Sequence, residues 1–399
     1  MATEIRPIED NELPAWMAAM RVGFHQPDPE DEERERRERQ FRAELDPART
    51  HGAFDDGRVV ATFRSYPTQL TVPGGFVLAD AVTNVTVAPS HRRRGLLSTL
   101  IHSDLAAAAE RGEAVAILVA SEWPIYGRYG FGPAAEIVQY ELDARAAAFA
   151  TPGAGEVALV EPGELRPLAP AIYETHRAAT PGAIERSDVW WERRLEPAPA
   201  KRCALARDED GRPAGLLVYE VEGHWEDWRP RGKLTVTELF AADPQVEARL
   251  WRFAAEVDLI ATVIAEQRAV DERLPWLLRD ARALRQRYRS DFQWVRVLDA
   301  PAALSGRAYA TEDTLVLEVD DPLGHAAGRF ALQAGRCERT DAPADVALRV
   351  EALGAAYLGG ASWGTLAAAG WVQERTPGAV ARADAMFGWV VRPWCATLF

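Results

Sequence analysis

The chain has 399 residues, 48% of them hydrophobic and 27% charged, with a formal net charge of −14. That length can bury two or three cores, and the composition excludes a disordered chain. The acidity argues against a nucleic-acid partner, whose affinity rests on cationic side chains, and favours a cationic small molecule instead.

From the N-terminus, a short strand at Ile5 precedes a helix over 12–23. A second, charged helix begins at Glu30 and ends on the apolar pair Phe41 and Leu45, which the pattern places under a substrate cleft. Residues 51–63 read as a hairpin turning at Asp56-Gly57, and Pro73-Gly74-Gly75 turns the chain into a strand over 76–87. That strand runs into Ser90-His91-Arg92-Arg93-Arg94-Gly95, and a helical pattern follows at once with Leu96, Leu97, Leu100 and Ile101. Strand, basic glycine turn and helix together predict an anion site: the first N–H groups of a helix are unpaired and the dipole favours negative charge. Arg92, Arg93 and Arg94 can add charge-assisted bonds. His91 and His102 are expected at phosphate or at the surface. The helix ends near Gly112, and 114–120 is a buried strand.

Arg92-x-x-Gly95-x-Leu97 resembles the acetyl-coenzyme A loop of GNAT superfamily N-acetyltransferases, with Leu97 where that pattern usually has Gly or Ala. The resemblance implies that the pantetheine arm lies where the strand before the loop parts from the strand after the helix. Cofactor contacts are then expected from Val85, Thr86, Val87, Arg92, Arg93, Arg94, Gly95, Leu96, Leu97, Ser98, Ser121 and Glu122, with Val85 and Val87 acting through their backbones. The segment Trp123-Pro124-Ile125-Tyr126-Gly127-Arg128-Tyr129-Gly130-Phe131 is similar to the helix beside the thioester sulfur in that superfamily. A phenol of ordinary pKa, about 10, can protonate a leaving thiolate, and Tyr126 is the candidate acid. Tyr129 and Phe131 fit core packing equally well.

The middle of the chain repeats this grammar without the cationic turn. Residues 203–219 mirror the hairpin, and 234–253 mirror the strand, loop and helix, but Asp243-Pro-Gln-Val-Glu-Ala stands where the first copy has Ser-His-Arg-Arg-Arg-Gly. Acidic residues at a helix start suit the dipole and repel a pyrophosphate, so this copy is expected not to bind the cofactor. Ser187 or Asp188 caps a helix carrying Trp190 and Trp191. Tryptophan is most often core, yet Trp190 could offer an amine a cation–π face.

From about Phe292 the pattern changes to short strands at 310–319, 327–332 and 346–350, with helices at 351–359 and 363–369. This resembles a sterol-carrier-like domain. The whole chain is similar to the enhanced intracellular survival (Eis) acetyltransferases. The expected fold is α/β (α+β): tandem GNAT-like domains with mixed, mostly antiparallel sheets, 1–145 and 150–291, then a sterol-carrier-like domain, 292–399.

The Eis resemblance implies acetyl-coenzyme A as donor, a primary amine of an aminoglycoside-like or lysine-like substrate as acceptor, the C-terminal carboxylate of Phe399 as base, Tyr126 as acid, and a homo-hexamer. Acceptor contacts are expected from Phe24, His25, Gln26, Asn84 and Trp190. Two rivals stay open: a non-catalytic carrier that senses acyl-coenzyme A or binds lipid, and a transferase of longer acyl groups.

Cys203, Cys337 and Cys395 are widely spaced, without a CxxC pair or histidines at ligand spacing, so neither a disulfide framework nor a metal site is expected. No apolar run reaches the length of a membrane span, and Met-Ala-Thr-Glu-Ile-Arg lacks the plan of a secretory leader, so a cytoplasmic protein without a membrane partner is expected.

Overall fold

The structure, a computed structural model, describes residues 3–151 and 153–399. The chain falls into two compact units: residues 1–134 with 293–389 and Phe399, and residues 135–292 with 390–398. Among the described residues no helix is long and apolar enough to cross a membrane.

In the first unit, β1 (Glu4–Pro7), β2 (Thr50–Asp55), β3 (Arg58–Val72) and β4 (Gly75–Val87) form an antiparallel meander. Asp56 and Gly57 both take positive φ between β2 and β3, the two-residue turn whose twist matches the flanking strands. The chain then crosses through α3 (Leu96–Glu110) to β5 (Val115–Val119), which lies parallel to β4 and is paired on its other side by Gln293–Val297. Two further helices, α1 (Leu13–Gly23) and α2 (Asp31–Ala43), carry a small core of Ile8, Leu13, Trp16, Met17, Phe41 and Phe54. Phe41 is buried there, 5.3 Å from the Trp16 ring.

The same unit contains a five-stranded sheet in the order 336–339, 328–333, 314–320, 346–349, 372–374. Its helices cover 300–305, 350–357, 363–368 and 379–387. Sequence patterning recovered the three inner strands and two of these helices. It missed 336–339 and 372–374, the two edge strands, each of which carries a single buried apolar residue, Cys337 or Val372, and so shows no alternation. The change of pattern at Phe292 falls inside the 14-residue strand Leu284–Val297, and the chain passes between units there and at Ala134/Ala135, within the strand Gly132–Asp143.

The second unit repeats the plan: antiparallel strands Glu156–Val160, Lys201–Arg207, Pro213–Glu222 and Gly232–Ala241, the helix Pro244–Ala255, then Ile260–Arg268 parallel to the strand before the helix. Its core is built on Leu217, Tyr219, Leu234, Leu250, Trp251 and Val263.

Candidate active site

Strands β4 and β5 pair from Ala79/Val115 to Val82/Leu118 and then separate. Beyond that point β4 also loses step with β3. Arg64 stands opposite Thr83 and Thr62 opposite Thr86, so Asn84 and Val85 bulge between ladder partners, with Asn84 at φ +52°. The Thr62 hydroxyl donates to the Asn84 carbonyl at 2.7 Å and lies 2.7 Å from the Thr86 hydroxyl, which locks the bulge. The side chain of Thr86 is therefore committed inside the sheet, and any contact it makes with a ligand is through its main chain. Gly23, at the end of α1, abuts the Thr86 side chain so closely that a Cβ would collide with it. That contact sets the exposed Phe24, His25 and Gln26 beside the bulge.

At the end of β4 the loop residues Arg92, Arg93, Arg94 and Gly95 are all exposed, and α3 begins on Gly95 with φ +81° and no side-chain cap. A Cβ on Gly95 would meet nothing within 4 Å, so glycine is needed there for its backbone conformation and not for space. An uncapped helix of 15 residues entered through three arginines fits an anion.

His91 does not join that site. Its Nε2 lies 2.8 Å from Asp55 Oδ2 and its Nδ1 2.9 Å from Ser90 Oγ, so the ring fastens the loop to β2; the expectation of a phosphate contact or a free surface position is corrected. His102 lies edge-on to Tyr129. Ser98, expected to bind cofactor, has its hydroxyl 2.9 Å from that of buried Tyr129.

The Tyr126 segment is a single α-turn, α4 (Trp123–Tyr126), continued by a 3-10 turn over Gly127–Tyr129. Tyr126 and Tyr129 are buried in one cluster with Phe131, Leu96, Leu118 and Val82, on which Val85, Val87, Leu97 and Ala120 also pack. The cluster thus gathers predicted donor-site residues from β4, the loop helix and the segment after β5. Burial pushes the Tyr126 phenol up to about 12, against a hydrogen bond from Ser121 that lowers it. The ordinary value of about 10 assumed from sequence is corrected accordingly. Ser121 and Glu122 are exposed just before the turn.

Phe399 is half-buried, its ring centre 6.3 Å from that of Tyr66 and edge-on to it. Tyr66 stands opposite Ala81 on β4, and Ala81 opposite Ile117 on β5, one pair before those strands separate. The last residue therefore packs on β3 at the level where the separation begins.

Trp190 lies in the second unit, where the Arg186 guanidinium carbon sits 3.8 Å from its ring centre. The cation on that face belongs to the protein itself, which corrects the picture of a wall left open for an amine.

Sequence reasoning missed the polar layer beneath α3. Asp80 and Asp104 are buried, and Ser65 donates to Asp104 at 2.8 Å. Arg49 donates to Asp80 at 2.7 Å and also pairs with Glu113. Burial and the neighbouring Asp104 carboxyl raise Asp80 well above the usual carboxylate range. The residues joined here are 24 to 64 positions apart, and no local spacing announces them.

Residues 4–134 and 182–297 each match an acetyltransferase (GNAT) domain model, and residues 300–396 match a sterol carrier protein domain. An N-acetyltransferase of Streptomyces griseus is 42% identical over 420 residues, covering 100% of both chains. The N-acetyltransferase Eis of Mycobacterium bovis BCG is 37% identical over 355 residues, 84% of this chain and 85% of that protein. The crystal structure of Eis1 from Mycobacterium abscessus superposes with a TM-score of 0.88 at 32% identity, covering all of both chains. With two GNAT folds followed by a sterol-carrier fold, and with relatives alike over the full length, the chain belongs to the Eis-like family of GNAT N-acetyltransferases, enzymes that draw on an acyl-coenzyme A donor.

Proposed function

We propose that the protein transfers the acetyl group of acetyl-coenzyme A to a primary amine of a cationic, aminoglycoside-like or lysine-like molecule. The observation that carries this reading is the separation of β4 from β5 directly beside the uncapped, arginine-flanked start of α3. Main-chain groups at Val85 and Val87, beyond the last β4–β5 ladder pair, bond the amides of the pantetheine arm. N–H groups of Leu96, Leu97 and Ser98, with Arg92 to Arg94, hold the pyrophosphate. Ser121 and Glu122 border the arm across the gap. Phe24, His25, Gln26 and Asn84 face the acceptor, and the net charge of −14 draws a cation toward it.

The chain's own groups supply the proton transfers. The terminal carboxylate of Phe399, directly or through a water, takes a proton from the acceptor ammonium, and the amine nitrogen then attacks the thioester carbonyl. An N–H near Val85 stabilises the oxygen as it gains charge. As the carbon–sulfur bond breaks, Tyr126 gives its proton to the sulfur and takes up in its place the second proton that the former amine nitrogen sheds on becoming an amide. A phenol near 12 is a weaker acid than the thiol it makes, so the transfer to sulfur is uphill on its own and is driven by the proton that the positively charged nitrogen returns to the phenolate. In return the phenol stays protonated throughout the alkaline range in which amines are free.

Family membership removes the ground for a non-catalytic carrier. We place the protein in the cytoplasm and, by its family, in a homo-hexamer. The test is release of free thiol from acetyl-coenzyme A over a panel of aminoglycosides, polyamines and lysine derivatives. Turnover on at least one amine, lost when one alanine is added after Phe399, supports the reading. A full panel without turnover, or an extended chain as active as the parent, overturns it.

A further inference from the structure

In the second unit the strands matching β4 and β5 in order, Gly232–Ala241 and Ile260–Arg268, pair from Gly232/Ile260 to Val236/Ala265 and then diverge in the same manner. Here the gap is filled by protein. Arg268 reaches across and donates Nη1 to the Leu239 carbonyl at 3.1 Å. Trp394 donates its indole N–H to the Gln267 carbonyl at 2.7 Å and its backbone N–H to the Pro181 carbonyl at 2.8 Å. Its ring centre lies 4.7 Å from the Arg268 guanidinium carbon, 5.0 Å from the His176 ring and 6.0 Å from the Phe240 ring. Burial, with Arg268, Arg186 and Arg273 nearby, holds His176 down at about 3, so its ring packs on Trp394 uncharged. In this copy, the wedge that accepts a ligand arm in the first copy is a socket for the chain's own C-terminal segment.

Past the socket, one side chain takes hold of what remains. Arg186 donates Nε to the Thr397 hydroxyl at 2.9 Å, Nη2 to the Ala396 carbonyl at 3.1 Å and Nη1 to Glu238 at 3.1 Å. Its guanidinium carbon is 3.8 Å from the Trp190 ring centre and 4.0 Å from that of Tyr173. Glu238, itself buried, is also held by Arg194. The Tyr173 hydroxyl, donating to the Ile184 carbonyl, lies 3.3 Å from Thr397 Oγ1. A guanidinium stacked on aromatic rings, with all three nitrogens engaged, has little freedom left. Chain ends are ordinarily the least ordered part of a protein, whereas Thr397 is 1% exposed and Cys395 fully buried.

We propose that Arg186 is a positioning residue for acetyl transfer: by gripping Ala396 and Thr397 it holds the terminal carboxyl, two residues further on, in the place of a fixed base. This rests on the reading of the Phe399 carboxylate as base. A group that must meet a reacting nitrogen loses most of its effect when displaced by about 1 Å, and two residues of free chain permit several times that.

The test uses the full-length protein and the amine that turns over fastest. Arg186→Lys keeps the charge facing Glu238 and removes the multi-pronged grip, while Thr397→Val removes the hydroxyl at nearly constant shape. Each is expected to lower kcat roughly ten- to a hundredfold while the calorimetric Kd for acetyl-coenzyme A stays within about twofold, and Thr397→Ser is expected to recover part of the loss. A purely structural role would lower the melting temperature and donor binding together. The same preparation of the chain extended by one alanine separates the two claims. If the extended chain is inactive while Arg186→Lys and Thr397→Val keep parental kcat, the clamp is wrong and the base stands. If the extended chain is fully active, the base reading falls and the clamp with it.

Discussion

Two helices enter from two β-strands in this molecule, and the chemistry of their first residues diverges completely. Helix α3 starts on Gly95 in the left-handed region, uncapped, after three exposed arginines. The helix Pro244–Ala255 starts on Asp243, whose carboxylate accepts from the Gln245 N–H at 2.7 Å, with proline in the first turn. The protein supplies at the second helix, from its own sequence, the negative charge that a pyrophosphate would bring to the first. The same contrast recurs at the strand gaps: β4 and β5 part after Val82/Leu118, whereas the gap in the second unit is closed by Arg268 and Trp394. A duplicated fold keeps its architecture when the ligand is replaced by side chains, so the fold alone does not reveal which copy is active.

The most direct way to break the contrast is to give the first copy the second copy's entry. Gly95→Asp places a carboxylate where the pyrophosphate is expected, in a left-handed conformation that costs an ordinary residue about 1–2 kcal/mol. Since nothing lies near that Cβ, the fold should survive. Acetyl-coenzyme A affinity is expected to fall at least about a hundredfold by calorimetry, from like charge and the lost N–H donors together. Unchanged affinity would show that the loop does not hold the phosphates.

Next in size is Tyr126→Phe, which leaves the cluster packed and removes the acid. Its kcat should fall roughly ten- to a hundredfold with donor affinity intact. Because burial pushes this phenol up to about 12, the parent should show no alkaline loss of kcat from Tyr126 below about pH 10. A fall with a midpoint near 9 would contradict the assignment.

The loop, the hairpin and the echo were legible because each depends on neighbours in sequence: a glycine before an apolar period, an Asp-Gly between alternating runs, an acidic start in place of a basic one. What could not be read depends on residues far apart. Arg186 is one of many arginines in the sequence, and nothing around it announces Thr397, 211 positions away. The basic turn promised a phosphate contact from His91, but the structure spends that ring on Asp55, 36 positions upstream. Trp190 was correctly seen as aromatic at a helix start, whereas the cation on its face comes from folding. The pattern change read at Phe292 falls in mid-strand, where an exposed run gives way to a fully buried one within the single strand Leu284–Val297.

A smaller effect sharpens the comparison beneath the helices. Each copy buries a carboxyl–carboxyl contact there: Asp104 with Asp80 in the first, Glu247 with Glu272 in the second. Burial, and then the nearby Glu272, raise Glu247 to about 7, while Arg268 holds Glu272 low despite its burial. Arg273 also pairs with Glu247. A carboxyl whose folded value exceeds its unfolded value of about 4.3 stabilises fully below that pH and loses its contribution as pH rises through 7. The melting temperature is therefore expected to drop between pH 6 and pH 8, and Glu247→Gln, which mimics the protonated form, should flatten that drop. An equal drop in the variant would place the titration elsewhere.

The smallest expected effect is that of Asp243→Ala, which removes a helix cap worth about 1 kcal/mol. It should lower the melting temperature slightly and create no coenzyme site.

The measurement that meets the account most squarely is the calorimetric stoichiometry of acetyl-coenzyme A on the whole chain. One site per chain, abolished by Gly95→Asp and untouched by Asp243→Ala, is the predicted result. Two sites per chain, or a single site that survives Gly95→Asp, would contradict the assignment of one copy to the coenzyme and the other to the C-terminal segment.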